Sequence, residues 1–289
     1  MRHVLNRGLR KVRYEIVKLP RDRDPRAEYA ALYPAQSLDG RRFYNVGAGG
    51  FSHPLWTNVD FISDWYSRND DNTRAGIQYD LFSLEPIPVE DATAEVVYTS
   101  HTVEHIHDEA AANAFREAYR MLKPGGFFRV TTPDAELAHA ALERGDRAYF
   151  WWMFDPRRNT GGNLVKPLTE ASIEQVFLVL IATSVSTIVD RGGDERVDDA
   201  KLRELLRRLG RDRTLEYCTS RCPVEIQQAF PGYHMNWWTA EKLSRMLREA
   251  GFDTTYRSGY GQSHCPVLRD VTHFDNTRPY MSLYVEAVK

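Results

Sequence analysis

From residue 42 onward the chain alternates short apolar runs with amphipathic stretches, and residues 95–132 show the alternation most clearly. "EVVYT" (95–99) is nearly continuous in apolar residues, as a strand covered on both faces of a parallel sheet must be. A helix follows over 108–122, with Asp108 as its N-cap and Phe115, Tyr119 and Leu122 on one face. "KPGG" breaks that helix and feeds a second strand, "FFRVTT" (127–132). Upstream, "RFYNV", "WTNVD" and "GIQYD" (76–80) are short runs bounded by turn residues. Downstream, "TAEKLSRMLREAGF" is a helix capped by Thr239, lined by Leu243, Met246, Leu247 and Ala250, and stopped by Gly251. "DTTYRS" and "MSLYVEAV" are the last two strands. Strands alternating with helices predict an α/β fold: a doubly wound, mostly parallel sheet that binds ligands beyond the carboxyl ends of its strands.

The remainder is less regular. Residues 1–40 form an N-terminal extension whose first 26 residues carry nine Arg or Lys. Val4, Leu5, Leu9, Val12, Ile16 and Leu19 recur there at near-helical spacing, giving a basic amphipathic helix. Packing on the main domain is preferred for it over peripheral contact with an anionic membrane. Residues 135–238 interrupt the strand pattern with helices expected over 135–145, 170–189 and 200–209, and "DRGGDERVDD" (190–199) reads as a mobile connection. The longest apolar run, "VFLVLIATSVSTIV" (176–189), falls short of the roughly 20 residues that span a bilayer. It reads as a buried helix, at a subunit contact if the chain forms a homo-oligomer. Cys218, Cys222 and Cys265 fit no zinc pattern and read as free thiols of a cytoplasmic protein. A net charge of -2 argues against a nucleic-acid partner.

Function is read at the strand ends. Gly47, Ala48 and Gly49 follow the first strand, where glycine lets the backbone approach a ligand closely. Asp60 ends the second strand, with Phe61 beyond it, and a carboxylate there accepts from both hydroxyls of a ribose. A nicotinamide site wants a third glycine and an acid about 20 residues on. Ser52 stands at that third position, and Asp60 comes much sooner. No P-loop is present, so the turn suits a nucleoside without a pyrophosphate. Asp80 and Leu81 follow the third strand, where an acid meets an adenine amino edge, although Asp80 reads equally well as a helix cap. Ser100 and His101 follow the fourth.

"NVGAGG", "TNVDF", "YDLFSLEPIPVEDATAEVVYTSHTVEHI" and "MLKPGGFFRVTTPD", taken in order, resemble the class I S-adenosylmethionine-dependent methyltransferases. The resemblance covers residues 40–134 and 235–288, and the short glycine-to-Asp60 link is similar to members from glycan and secondary-metabolite pathways. It implies a Rossmann-like, doubly wound seven-stranded sheet over 41–289, with 135–238 a helical lid or substrate insertion. It implies S-adenosylmethionine as cofactor, S-adenosylhomocysteine as product, and a small-molecule or glycan acceptor. It carries cofactor roles to Gly47, Gly49, Asp60, Asp80, Leu81, Ser100 and His101. Asn45 stands where many members have an acid near the methionine amino group.

If the acceptor is a hydroxyl, a base helps, and histidine suits neutral pH. His101 and His105 share a face if a helix begins at 102, and either serves as base with Glu104 orienting it; His234 is a further candidate. The same residues also read as plain loop or cap elements. A divalent ion on His105 and His107 with Asp108 or Asp134 lacks compact spacing, and no metal is assigned. "FWWMF" (150–154) and "NWW" (236–238) read first as core and second as a stacking surface for a sugar. Two rivals remain: a nicotinamide-dependent oxidoreductase on a related fold, and a non-catalytic nucleoside-binding protein.

Overall fold

The computed structural model describes residues 24–61, 76–154 and 163–289. The expected basic helix lies, up to residue 23, outside the described residues. Two short helices, α1 (Pro25–Ala30) and α2 (Ala35–Asp39), precede the sheet. Tyr29 of α1 is buried against Phe43, and its hydroxyl accepts from Trp56 Nε1 at 2.7 Å, so this part of the extension is packed into the domain.

Strands β1 (Phe43–Val46), β2 (Trp56–Asp60), β3 (Ile77–Gln78) and β4 (Ala94–Ser100) lead to helix α3 (Asp108–Met121) and strand β5 (Leu122–Pro133). Helices α4 (Ala135–Arg144), α5 (Ile173–Ile181), α6 (Asp199–Thr219) and α7 (Val224–Ala229) form the insertion. Helix α8 (Ala240–Glu249) and strands β6 (Thr254–Arg257) and β7 (Ser282–Val288) close the chain. The sheet has seven strands in the order β3-β2-β1-β4-β5-β7-β6. β1 to β5 are parallel, and β7 runs antiparallel to both neighbours. Strand alternation sends Phe43, Val96 and Tyr98 to a core with Tyr29, Trp56 and Phe274. It sends Tyr44, Val97 and Val130 to the opposite face, in a core with Phe115 of α3, Leu247 of α8 and Trp238 just before α8.

Several expected boundaries shift. Asp108 is not the cap of α3: His107 is, its Nδ1 accepting from Ala110 N at 3.1 Å, and Asp108 is the first helical residue. β5 begins at Leu122, with "KPGG" a bulge between the Ala94–Leu122 and Val96–Phe127 pairs. The expected helix 170–189 stops at Ile181, because the run then turns β-branched and hydroxylated. Thr183 bonds back to the Val179 carbonyl at 2.8 Å, and the Gln175 side chain accepts from both Ser186 and Thr187. Helix α6 is two helices that meet at Gly210, whose non-helical backbone (φ 75°, ψ 175°) ends the first one at 209 as expected, and the second runs on to Thr219. Residues 190–199 make bonds back to the preceding segment: Arg196 donates to the carbonyls of Ser184 and Ser186, and Val197 N to Val185 O. Cys218, Cys222 and Cys265 are free and buried. Among the described residues, no helix is long and apolar enough to cross a membrane.

Candidate active site

The carboxyl ends of β1, β2 and β4 and the turn after β3 open on one cavity of about 960 Å³. Gly47, Ala48, Gly49, Asp60, Phe61, Asp80, Leu81, Ser100 and His101 all line it. Gly47 (φ 68°) and Gly49 (φ 51°) take left-handed backbone, which folds the loop back across the strand end. The Asp60 carboxylate holds that loop, accepting from Gly49 N at 2.6 Å and Phe61 N at 2.8 Å. Burial pushes its carboxyl above the ordinary value, opposed by these two N–H donors. Asp80 lines the cavity and also caps the 3₁₀ turn Leu81–Ser83 by accepting from Phe82 N at 2.9 Å. Ser100 Oγ pairs with Thr131 Oγ1 at 2.8 Å. Asn45 lies on the same wall, 3% exposed, and its Oδ1 has no hydrogen-bond partner.

His101 and His105 reach the cavity; Glu104 and His234 stand behind them and do not line it. The expected helix from 102 is only a 3₁₀ turn over Val103–His105, so Glu104, rather than a shared helical face, brings the rings together. Its Oε1 lies 3.0 Å from His101 Nδ1 and 3.9 Å from His105 Nε2, while Oε2 accepts from Thr132 Oγ1 at 3.0 Å. Burial alone would raise the Glu104 carboxyl, but the neighbouring imidazoles, His101 foremost, bring it down to about 2. The Glu104 carbonyl also accepts from Met235 N and Asn236 N, at 3.0 and 3.1 Å, which docks the end of the insertion here. That docking sets the His234 ring edge-on to His105, with centroids 4.8 Å apart. Burial, and then His105, push the His234 imidazole down to about 3. The ligand set imagined around His107 does not assemble, since His107 caps α3 and Asp134 caps α4 while pairing with Arg257 at 2.7 Å.

Residues 47–130 match the model of a family described as a methyltransferase domain, and these are the residues that build the glycine loop, the strand-end acids and the histidine wall. The seven-stranded, mostly parallel sheet around them is the Rossmann-like arrangement expected of a class I methyltransferase fold. Similar solved structures include S-adenosylmethionine-dependent methyltransferases of Thermotoga maritima (14% identity, 92% of this chain and 87% of that one, TM-score 0.40). One from Mesorhizobium loti is 16% identical, covering 91% of this chain and 96% of its own, with TM-score 0.40. One from Archaeoglobus fulgidus is 12% identical, covering 100% and 95%, with TM-score 0.39. No curated protein matches the chain.

The cavity has walls that the strand pattern did not announce. Gln227, Gln228 and Pro231 reach it from the insertion, and Thr272, His273, Asn276 and Thr277 from the loop before β7. That loop is fixed from below by Arg129, fully buried, which donates to both carboxylate oxygens of Asp275 and to Glu286. Asp275 N in turn donates to Tyr98 OH at 2.8 Å, and Tyr98 lines the cavity. The aromatic runs serve as core: Phe150, Trp152, Trp237 and Trp238 are buried, and the exposed Trp151 packs on Tyr280 away from the cavity.

Proposed function

We propose that this methyltransferase moves the methyl group of S-adenosylmethionine to an oxygen of a sugar-containing or other small-molecule acceptor. The observation that carries the reading is the single cavity shared by the strand-end residues, the two imidazoles and the insertion. Its volume of about 960 Å³ is at the top of the roughly 300–1,000 Å³ range of small-ligand sites, leaving room for cofactor and acceptor together. Asp60 takes the ribose hydroxyls, exchanging its bond to Gly49 N for them. Asp80 faces the adenine edge. Asn45 Oδ1, buried and unpartnered, accepts from the methionine ammonium, a neutral acceptor where an acid would add charge. Gln227 and Gln228 offer amide donors and acceptors, which suit a hydroxyl-rich acceptor. The reaction is an in-line displacement: the acceptor oxygen forms a bond to the methyl carbon as the sulfonium C–S bond breaks, and the oxygen loses its proton. Positioning at about 3 to 3.5 Å supplies much of the acceleration, and the proton leaves toward the His101–His105 wall.

The test is calorimetric titration with S-adenosylhomocysteine, on the parent and on Asp60→Ala, with NAD as control. Micromolar binding that weakens at least tenfold in the variant, about 1.4 kcal/mol, supports the cofactor site. Retained activity, read as label transfer from S-adenosylmethionine to a panel of sugars and phenols, then identifies the acceptor. A parent that binds NAD and ignores S-adenosylhomocysteine overturns the reading.

A further inference from the structure

The histidine wall contains an electrostatic arrangement that methyl transfer by positioning alone leaves unexplained. His105 Nδ1 lies 3.1 Å from the Tyr233 carbonyl, which can only accept, so Nδ1 carries the hydrogen. Nε2 of the neutral ring is then a bare lone pair, and it faces Glu104 Oε1 at 3.9 Å. His101 is held at both nitrogens: Nε2 lies 2.7 Å from Ser282 Oγ, and Nδ1 lies 3.0 Å from the same carboxylate oxygen. Glu104 is 1% exposed, and Oε1 accepts no hydrogen bond. His234 completes the group: one ligand atom from each of Glu104, His105 and His234 lies within 4.8 Å of the others.

Ligand atoms from the histidine wall and from the insertion are thus gathered around one enclosed carboxylate. The backbone holds them there at a cost. His101 takes left-handed φ (51°), unusual for a non-glycine residue and the kind of local strain that collects at functional sites. The hydrogen bond from His105 Nδ1 to a backbone carbonyl is the outer-shell contact that fixes a metal-binding imidazole in orientation and tautomer.

We propose that Glu104, His105 and His234 bind a divalent transition-metal ion at the wall of the methyl-transfer cavity, flanked by His101. Two imidazoles and a carboxylate favour zinc, cobalt or manganese over magnesium or calcium. With ligands at roughly 2.0–2.2 Å, atoms now up to 4.8 Å apart draw together by about an ångström, a movement that His234 can supply from the insertion. Three protein ligands leave coordination positions open. Resting on the methyltransferase reading, an acceptor hydroxyl that occupies one of them loses its proton more readily because the ion stabilises the alkoxide. His105 is then a ligand and not the base, and acceptors with two neighbouring oxygens, such as vicinal diols or catechols, fit such an ion best.

The experiment uses the full chain, stripped with chelator and titrated with cobalt chloride alone. Visible d–d absorption and calorimetry report the ion, and S-adenosylhomocysteine titration reports the fold and cofactor site independently. One cobalt bound per chain, displaced by zinc, is the expected result. Binding should weaken at least tenfold in His234→Gln and in Glu104→Gln, while His234→Gln binds S-adenosylhomocysteine within about twofold of the parent. A parent that binds S-adenosylhomocysteine yet takes up no cobalt or zinc overturns the proposal. Equal cobalt binding by parent and both variants overturns it too, because the ion lies elsewhere. Loss of S-adenosylhomocysteine binding in the parent, with cobalt still bound, instead counts against the proposed cofactor site and leaves the ion in place.

Discussion

Gly47 and Gly49 share a left-handed backbone but not the same surroundings, and this separates what each contributes. A Cβ on Gly47 would come 2.2 Å from Thr102 Cγ2, whereas one on Gly49 would meet nothing within 4 Å. Gly49→Ala should therefore lose only the left-handed cost, about 1 to 2 kcal/mol, in urea unfolding. Gly47→Ala should lose clearly more, because the Thr102 side chain must move as well. Thr102 Oγ1 donates to the Gly47 carbonyl at 3.2 Å, so that move also disturbs the glycine loop. Equal losses in the two variants would show that Thr102 gives way freely. The sequence made these glycines and Asp60 legible because a turn and an acid at successive strand ends have few structural uses. It could not reveal that Glu104 and His234, 130 positions apart, meet behind His105. Nor could it reveal the unpartnered Asn45 Oδ1, because an unmade hydrogen bond leaves no trace in residue order.

Element boundaries were legible where one force dominates and blurred where two compete. Helix α8 runs from the Thr239 cap to Glu249 as expected, because cap and apolar stripe agree. Helix α5 stops early, because hydroxyl side chains after Ile181 offer the backbone other partners. The last strands were expected, but not the charge that joins them. Arg129, in the middle of β5, ties β7 through Glu286 to the Asp275 loop. A lone arginine in "FFRVTT" reads as the solvent side of a strand; here both faces of the sheet are covered, and its partners come from a distant segment. Arg129→Met leaves two buried carboxylates without their cation, which should cost about 3 to 5 kcal/mol. Unfolding by urea measures that loss, and calorimetry at a temperature where the variant is folded should show weaker S-adenosylhomocysteine binding, since the Asp275 loop forms part of the cavity. Unchanged affinity would mean that the loop holds its place without the arginine.

At the scale of the whole molecule, the sheet and the insertion each have a core of their own, and the insertion meets the cavity through the segment that includes Gln227 and Pro231. The described part of the N-terminal extension joins the sheet's outer core, where one titratable ring is enclosed. His53 is 6% exposed among Tyr29, Phe51, Trp56, His273 and Phe274, and its Nδ1 accepts from Leu55 N at 3.2 Å. Burial, reinforced by His273 and Arg41 and opposed by Asp270, pushes the imidazole down from 6.5 to about 4. Between those values the unfolded chain binds a proton that the folded protein refuses, so stability rises with pH across that window and falls as the solution is acidified. A shift of this size corresponds to roughly 2 kcal/mol lost between pH 7 and pH 5. His234 titrates in the same direction, so altering His53 should reduce the slope without removing it. His53→Asn keeps an acceptor for Leu55 N and cannot charge. Its unfolding free energy, measured in urea at pH 7 and pH 5, should fall less than that of the parent. A slope equal to the parent's would place the acid sensitivity elsewhere and show that the His53 ring can take up a proton within the fold.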